Sequence, residues 1–290
     1  MNIISFPGLG IGEFKLDPVA FTLFGRDVMW YGVIITFGII CAFMLANWRA
    51  KYERVDGDTF YDLAFITVLL SILGARLYFV FFYGGFVERG GTFFENLWGT
   101  LYNMIAIWEG GLAIYGAVIV GAFTISVYGK VKHVNIPKLL DATAPGVLLG
   151  QAIGRWGNFT NAEAHGGVTD VFCRMGISYG GYGEMIYYHP TFLYESLWNI
   201  IGFLIVAFFT NHKKYDGQCF LLIFAWYGFG RMFIEGLRTD SLYIFGTIRI
   251  SQLLGGLIFL VCASVLVYFM IRKPTKKLYC KSPNTSKTRR

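Results

Sequence analysis

The stretch GRWGNFTNAEAHGG, at positions 154–167, carries polar side chains directly after the apolar run APGVLLGQAI. On an α-helix its polar residues recur at i, i+4, i+7, i+10 and i+14, which places them on one face. Gly157 and Gly166 are helix breakers, so the face is expected at least as far as Asn158. The residues of this first polar face are Gln151, Arg155, Asn158, Asn161 and His165.

A second polar face lies in YGFGRMFIEGLR, at positions 227–238, within another apolar run. Its polar residues recur at i, i+4, i+8 and i+11 and therefore share one side of a helix. Arg231 and Glu235 are spaced to form an ion pair within that helix. Ion pairs that only hold helices together would also explain such residues, and for Glu235 this explanation is as good as a functional one. The residues of the second face are Tyr227, Arg231, Glu235 and Arg238.

The arginines of the two faces outnumber the carboxylates found near them. Glu163 and Glu235 do not neutralise three arginines, and an arginine at membrane depth costs about 2.5–3.5 kcal/mol on insertion scales. The surplus positive charge favours an anion from outside the protein. At the outer leaflet the abundant anion is a lipid phosphate, which a planar guanidinium group binds through two parallel hydrogen bonds. Arg155, Arg231 and Arg238 are therefore predicted to bind phosphate.

The composition places these residues in a membrane protein. Hydrophobic residues make up 55% of the chain and charged residues 15%, whereas a soluble protein carries about 25% charged residues. The segments 28–46 and 250–271 contain no charge, and each has roughly the 20 residues that a helix needs to cross a bilayer. The N-terminus lacks the basic start and cleavage site of a secretory signal peptide, so the first apolar run is expected to stay as a span.

The expected fold is an all-α integral membrane protein with seven transmembrane helices. The fourth helix is the weakest, because Asp141 and Pro145 lie near its start. The N-terminus is expected outside and the C-terminus in the cytoplasm, because sixteen of the 25 lysines and arginines then fall in inner segments and six in outer ones. Without the fourth span the basic tail would lie outside. The predicted spans are 28–46, 61–83, 108–128, 139–157, 190–209, 218–235 and 250–271.

The chain is expected to consist of a single membrane body, residues 1–271, and a disordered basic cytoplasmic tail, residues 272–290. The tail supplies much of the net charge of +7. It indicates topology and contact with anionic membrane lipid rather than nucleic-acid binding. An extracytoplasmic loop region at about 158–190 is rich in glycine and tyrosine and is long for a simple connection. We expect this loop region to cover the site as a lid or as a docking surface.

Several motifs resemble the sequence blocks of the bacterial prolipoprotein diacylglyceryl transferases. The family pattern reads roughly G-R-x-G-N-F-x-N-x-E-x-x-G, and this chain has it at positions 154–166. HPTFLYE at 189–195 and YGFGRMFIEGLR at 227–238 follow in the family's order, and WYG at 30–32 and WEGGLAIYGA at 108–117 also match. The resemblance covers nearly the whole chain, and the family's seven-helix body agrees with the topology predicted above.

The resemblance implies a multi-pass enzyme of the bacterial cytoplasmic (inner) membrane. It would transfer the diacylglyceryl group of phosphatidylglycerol to the lipobox cysteine of a prolipoprotein signal peptide, forming a thioether and releasing glycerol phosphate. This would be the first step of bacterial lipoprotein maturation, and it implies neither a metal nor an organic cofactor. The five cysteines of the chain have no metal-ligand spacing, so the reacting thiol is expected to belong to the substrate.

The catalytic residues that the resemblance implies are Arg155, Arg231 and Tyr115. Some family members have a histidine where this chain has Tyr115, and a base role does not pass directly to a phenol, which keeps its proton at neutral pH. Tyr115 is instead expected to orient the phosphate or the thiol, and the general base stays unassigned, with His165 as one candidate. The implied lipid and phosphate contacts are Arg155, Asn158, Asn161, Glu163, Gly166, Tyr31, Tyr227, Glu235 and Arg238.

Two other classes of protein remain open at this level. An anion transporter or channel would also place arginines in its spans, but it should offer polar access from both sides, and the inner halves of most spans are apolar. A non-catalytic lipid-binding scaffold would need the arginines but not the group of Asn158, Asn161 and Glu163. Transfer of labelled lipid to a signal-peptide cysteine distinguishes the three classes.

Overall fold

The structure is a computed structural model that describes residues 1–53, 55–83, 92–106, 111–181, 183–239, 243–244 and 248–272. The chain divides into two compact units, one formed by Met1–Arg49 with Leu140–Arg290 and the other by Ala50–Leu139. Both predicted polar faces belong to the first unit, and Tyr115 belongs to the second. The predicted tail lies outside the described residues from position 273 onwards, and the expectation of one membrane body stays a prediction.

Most of the described chain is helical, as expected for a membrane protein built from helices. Each predicted span coincides with an observed helix, although the bounds differ by several residues. The third predicted span begins at residues that lie outside the described part of the chain. The helices are α1 Trp30–Tyr52, α2 Gly57–Phe82, α3 Phe93–Ile105, α4 Ile114–Lys132, α5 Ile136–Thr160, α6 Thr191–Phe209, α7 Gln218–Ile234 and α8 Ile250–Arg272.

Among the described residues, six helices are long and apolar enough to cross a membrane, namely α1, α2, α4, α6, α7 and α8. The helix α5 has 25 residues, which is long enough, but it does not reach the same hydropathy. Its polar residues, including Gln151 and Arg155, account for the difference. The helix continues through Pro145 without a break.

The helix α3 was not predicted from the sequence. The main-chain nitrogen of Thr92 donates to the Oε2 atom of Glu95 at 2.9 Å, which completes a capping box at its start. Apolar residues such as Phe94 and Trp98 are exposed. With 13 residues, α3 is shorter than the roughly 20 needed for a span. A short helix with an exposed apolar side is suited to the membrane interface.

A four-stranded antiparallel sheet, also not predicted, joins the N-terminus to the loop region after α5. Its strands are β1 Asn2–Phe6, β2 Ile11–Leu16, β5 Met175–Ser178 and β6 Ile186–Tyr188, in the order β2–β1–β5–β6. Ile4 and Ile177 pair across β1 and β5, and both pack with Phe192 of α6 in a buried cluster. The sheet therefore fixes the loop region to the start of α6. Two hairpins complete the strands: β3 Val19–Leu23 with β4 Arg26–Met29, and β7 Tyr243–Ile244 with β8 Ile248–Arg249.

Asp141 is fully buried within α5, and it is tolerated there because it has three hydrogen-bond donors. Its Oδ2 atom accepts from the main-chain nitrogen of Gly217 at 2.8 Å and from Nζ of Lys213 at 3.1 Å. Its Oδ1 atom accepts from the main-chain nitrogen of Phe220 at 2.9 Å. These contacts satisfy free N–H groups at the start of α7 and place a negative charge there, where the helix dipole favours it. Asp141 thus ties α5 to α7.

Small residues allow α7 and α8 to pack closely. A Cβ atom added to Gly228 would lie 2.6 Å from the carbonyl oxygen of Gly255, and one added to Gly255 would lie 3.0 Å from that of Gly228. The neighbouring Gly256 does not take part, because a Cβ atom there would meet only the sulfur of Met232, at 3.5 Å. The close contact of main chains is typical of membrane helices, and it positions Arg231 in the turn that follows Gly228.

Candidate active site

Glu195, near the start of α6, joins the arginines of the two polar faces. Its side chain is buried, with 4% of its surface exposed. Its Oε2 atom lies 2.6 Å from Nη2 of Arg155, and its Oε1 atom lies 2.8 Å from Nη1 of Arg231. Nη1 of Arg238 lies 3.4 Å from the same Oε1 atom. One carboxylate therefore brings together α5, α7 and the segment after α7.

Glu195 was not predicted as a site residue. The surplus of positive charge inferred from three arginines against Glu163 and Glu235 was therefore wrong. With Glu195 included, three carboxylates face the three arginines, and these six residues are neutral together. A buried carboxylate needs such partners, because an unpaired charge is costly to bury. The motif HPTFLYE contains Glu195 and was the signal that could have identified it.

The ion pair predicted within the second face is present. Nη2 of Arg231 lies 2.5 Å from Oε2 of Glu235. The contact is not aligned as a hydrogen bond, so this Oε2 atom has no hydrogen-bond partner among the described residues. Glu235 is buried and begins a short 3₁₀ turn, Glu235–Leu237, that follows α7. Arg231 is thus held between two carboxylates while 15% of its side chain stays exposed.

On α5, Asn158 links Arg155 to Glu163. Nη1 of Arg155 donates to Oδ1 of Asn158 at 3.4 Å, and Nδ2 of Asn158 donates to Oε1 of Glu163 at 3.0 Å. The two bonds use the acceptor and a donor of the amide, which fixes its orientation. Glu163 is exposed, and 22% of the Arg155 side chain is exposed. This part of the network is therefore open to a ligand.

The first polar face is confirmed through Asn158, and it ends with α5 at Thr160. Asn161 lies in the turn just beyond, with its Oδ1 atom buried and without a hydrogen-bond partner among the described residues. His165 lies in the loop and does not extend the helical face. Its Nδ1 atom donates to the carbonyl oxygen of Gly166 at 3.0 Å, and its Nε2 atom lies 2.8 Å from the hydroxyl of Tyr179. An acid–base role for His165 stays a prediction.

A strained loop presents Glu163. Ala162 and Ala164 flank it with positive φ angles of 52° and 55°. This left-handed conformation costs a non-glycine residue roughly 1–2 kcal/mol, and such strain is concentrated at functional sites. The hydroxyl of Thr191 donates to the carbonyl oxygen of Ala164, and the hydroxyl of Tyr179 donates to that of Ala162 at 3.3 Å. These contacts from α6 and from the loop region after α5 hold the strained loop in place.

Gly166 has no room for a side chain. A Cβ atom there would lie 2.6 Å from the Cβ atom of His189 and 2.9 Å from the carbonyl oxygen of Leu237. The main-chain nitrogen of Gly166 donates to the carbonyl oxygen of His189 at 2.9 Å, and Gly166 forms a β-bridge with Arg238. The close approach of these main-chain segments explains the glycine and fixes Arg238 against the loop.

The three tyrosines singled out from the sequence occupy different places. Tyr31 lies on α1 with its ring against α5, since a Cβ atom at Gly157 would lie 2.9 Å from its Cδ2 atom. Tyr227 lies on α7, in the turn before the arginine of that helix. Tyr115 lies on α4 in the other unit, where its ring centroid is 6.2 Å from that of Tyr78. The contribution of Tyr115 to the site stays a prediction.

An apolar groove of about 400 Å³ lies between α1, α5 and α6. Its lining includes Trp156 and Ser196, which directly follow Arg155 and Glu195 in the sequence. The indole nitrogen of Trp156 donates to the Ser196 hydroxyl at 3.2 Å. The volume is within the range of small-molecule sites. The apolar wall includes Val33, Ile34 and Phe37 of α1, Leu149 and Ile153 of α5, and Ile200 of α6.

The arrangement combines preorganised cationic donors with an adjacent apolar groove. Guanidinium groups that are already held by carboxylates can stabilise negative charge that develops on a ligand, most strongly where water is scarce. An apolar groove beside them can hold hydrocarbon. A ligand with an anionic headgroup and an apolar body suits both features.

One family of known proteins matches this chain over most of its length. The family model described as prolipoprotein diacylglyceryl transferase matches residues 18–268. The phosphatidylglycerol–prolipoprotein diacylglyceryl transferase of Listeria innocua is 38% identical over 270 residues, which cover 91% of this chain and 94% of the relative. Relatives of the same name from Listeria welshimeri and Staphylococcus aureus are each 40% identical, over 90% and 91% of this chain and 92% and 93% of their own. The chain therefore belongs to the prolipoprotein diacylglyceryl transferase family.

Proposed function

We propose that this chain transfers the diacylglyceryl group of phosphatidylglycerol to the lipobox cysteine of a prolipoprotein signal peptide. The sulfur forms a thioether bond with the glyceryl carbon as the bond from that carbon to the phosphate oxygen breaks, and glycerol phosphate leaves. This would be the first step of lipoprotein maturation in a bacterial cytoplasmic membrane. The observation that carries the proposal is the network in which Glu195 joins Arg155, Arg231 and Arg238.

The proposed topology has seven spans, with α5 as the fourth. The strand β1 is hydrogen-bonded to β5, which requires both strands to lie on the same side of the membrane. The chain then crosses an even number of times between them. The helices α1, α2 and α4 provide three crossings, and α5 supplies the fourth. Arg155 is tolerated there because it pairs with Asn158 and with Glu195.

The N-terminus and the site are proposed to lie outside and the C-terminus in the cytoplasm. The positive-inside rule supports this orientation. Lys130 and Lys132 end α4, Lys138 lies in the first turn of α5, and Lys213 lies between α6 and α7. Lys138 and Lys213 lie at the ends of α5 and α6 opposite to the ends that carry the arginine network.

The arginines keep donors with which to bind phosphate. A guanidinium group has five N–H groups, and Arg155 uses two of them for Glu195 and Asn158. When the carbon–oxygen bond breaks, the phosphate gains a second negative charge. Fixed cationic donors stabilise that change more than they stabilise the bound lipid, which is what accelerates the reaction.

The apolar groove is proposed to hold part of the diacylglyceryl group. Its lining residues Trp156 and Ser196 lie in the same helical turns of α5 and α6 as Arg155 and Glu195, and the hydrocarbon is proposed to occupy the groove while the phosphate lies at the arginines. The buried Oδ1 atom of Asn161 has no described partner and could accept a hydrogen bond from the headgroup glycerol. A buried acceptor without a partner costs about 1–3 kcal/mol, so such a bond would contribute to headgroup binding.

The attacking group is proposed to be the thiolate of the substrate cysteine, because the thiolate rather than the thiol is the nucleophile. Positive charge near the thiol increases the thiolate fraction.

Tyr115 is proposed to orient the thiol or the phosphate by hydrogen bonding. The loop region between α5 and α6, which includes β5 and β6, is proposed to cover the site and to serve as the docking surface of the signal peptide.

Reconstitution tests the proposal directly. Purified protein in liposomes would receive phosphatidylglycerol labelled in its acyl chains and a synthetic lipobox peptide. We expect label on the peptide, an equal amount of released glycerol phosphate, and no label on a peptide with serine in place of the cysteine. Folded protein that binds the lipid without labelling the peptide would indicate a scaffold. Movement of phosphate across the membrane without labelling would indicate a transporter.

A further inference from the structure

A fourth arginine, Arg249, contacts the turn that begins at Glu235. It ends β8 and directly precedes α8. Its Nη1 atom donates to the main-chain carbonyl oxygen of Glu235 at 2.6 Å. Its Nε atom donates to the hydroxyl of Tyr243 at 3.1 Å, and the guanidinium group lies 5.7 Å from the centroid of that ring. A Cβ atom at Gly236 would lie 3.9 Å from Nη1, so the guanidinium group lies along the turn that leads to Arg238.

Arg249 differs from the other three arginines in the partners of its charge. Arg155, Arg231 and Arg238 each contact Glu195, and with Glu163 and Glu235 they form a neutral set. The described partners of Arg249 are a carbonyl and a phenol, which are both neutral. No carboxylate of the described part of the chain forms an ion pair with it. Among the described residues, Arg249 therefore gives the site its net positive charge.

The donors of Arg249 are also only partly used. Its described hydrogen bonds occupy one N–H on Nη1 and the N–H on Nε. Three of the five N–H groups of a guanidinium therefore remain, which is enough for a bidentate contact with phosphate. The residue is half-buried, so its charge is less screened than on an open surface.

We propose that Arg249 is a further phosphate-binding residue of this site. It attracts the phosphate of an anionic lipid to the ion-paired arginines, and it contacts the same phosphate when glycerol phosphate is the product. The inference rests on the proposed function and adds to it a residue that binds the anion before and after the chemical step. Since its contacts are made in both states, its loss should weaken binding more than it slows the chemical step.

Arg249→Gln tests the inference, with Arg272→Gln as the matched control. Arg272 lies at the opposite end of the same helix, and its guanidinium group likewise lies over a tyrosine, 5.5 Å from the ring centroid of Tyr268. Transfer rates in mixed micelles would be measured against the concentration of phosphatidylglycerol. We expect Arg249→Gln to raise KM about tenfold or more, the equivalent of one charged hydrogen bond, and to change kcat by less than about threefold. Arg272→Gln should leave both constants unchanged.

A second series of measurements uses added glycerol phosphate as a soluble inhibitor. It distinguishes contact of Arg249 with the lipid phosphate from contact with free glycerol phosphate. Weaker inhibition together with a raised KM would show contact with both forms, and a raised KM alone would assign Arg249 to the lipid headgroup. The first result supports the inference, and the second overturns the part of it that concerns the product phosphate. Arg249→Lys keeps the charge but not the bidentate geometry and should give an intermediate KM. If the glutamine variant does not fold, the lysine variant tests the inference in its place.

Unchanged KM and unchanged inhibition in Arg249→Gln would overturn the inference. A fall in kcat with constant KM would overturn it too, because it would show that Arg249 only holds the turn after α7. Failure of the proposed function would look different, since the unaltered protein would then transfer no lipid at all.

Discussion

Glu195 holds three arginines in one buried place, and its replacement tests whether that placement matters. Glu195→Gln keeps the shape and removes the charge. Breaking one partner of a buried ion pair costs about 3–5 kcal/mol. We expect a lower Tm and a fall in kcat/KM of roughly a hundredfold or more, since each 1.4 kcal/mol is a factor of ten. Thermal unfolding and initial rates would measure the two effects, with the exposed Glu184→Gln as the control. A glutamine variant with normal rates would show that the arginines hold their positions without Glu195.

Arg155 and Arg231 are expected to act on the leaving phosphate. Replacing either with alanine should reduce transfer by about 10²–10³ or more, the usual effect of removing one donor that stabilises developing charge. Lysine in either place should also be impaired, because it lacks the bidentate geometry. Transfer in a strain without its own enzyme, with the amount of membrane-inserted protein checked, measures the effect. Near-normal turnover of both alanine variants would contradict the proposed site.

Tyr115 is expected to orient a substrate rather than to take its proton. Tyr115→Phe should then cost one hydrogen bond, about 0.5–1.5 kcal/mol or up to ~3 with a charged partner, which corresponds to roughly 2-fold to 150-fold in rate. Initial rates of the unaltered protein, Tyr115→Phe and Tyr115→His over a range of pH provide the measurement. A loss of more than about a thousandfold would instead indicate a base, and full activity would make Tyr115 structural.

Much of the site could be predicted from the sequence because its residues repeat at helical spacing. Arg155 with Asn158, and Arg231 with Glu235, show their common face by position alone. Glu195 and Arg249 could not be placed in the same way, because their contacts with the arginines and with Glu235 join segments that are far apart in the chain. A local pattern carries no information about such contacts, and the charge count went wrong for that reason.

At the scale of elements, the apolar runs located the long helices, whereas α3 and the four-stranded sheet were missed. The segment that forms α3 is too short for a span and too apolar for an ordinary loop, so it matched neither pattern. The sheet depends on the pairing of β1 with β5, which are separated by several helices. Register between such distant strands is set by the folded helices and leaves no local signal.

The close packing of α7 on α8 is expected to fail when a single methyl group is added. In Gly228→Ala the new Cβ atom would lie 2.6 Å from a main-chain oxygen of α8, so the helices would have to separate. Such overpacking costs typically about 1–3 kcal/mol. Scanning fluorimetry in detergent should show a lower Tm, together with a loss of transfer because Arg231 follows on α7. The control is Gly256→Ala on α8, which makes only an ordinary contact and should keep or raise Tm. Equal stability of the two variants would contradict the packing argument.

At the scale of the whole molecule, the proposed topology predicts which loops a label can reach. In a cysteine-free background, Gly12→Cys and Asp170→Cys should react with an impermeant thiol reagent from outside the cell, and Lys214→Cys only after permeabilisation. All three positions are exposed. Labelling of positions 12 and 170 from opposite sides would remove α5 from the spans. Labelling of both from the cytoplasmic side only would reverse the orientation.

The pairing of β1 with β5 also has a consequence for the order in which the protein is assembled. The strand β1 is synthesised before α1 and next to its partner β2, but its other partner, β5, is synthesised only after α5. Until then Ile4 and Phe6 have no cluster to enter, because Met175 and Ile177 do not yet exist as part of the chain. The residues of β1 are therefore made before the helices but complete their native contacts only after α5 and β5 have been made. A ribosome stalled before position 175 should leave the N-terminal segment open to an added protease, and elongation past α6 should protect it.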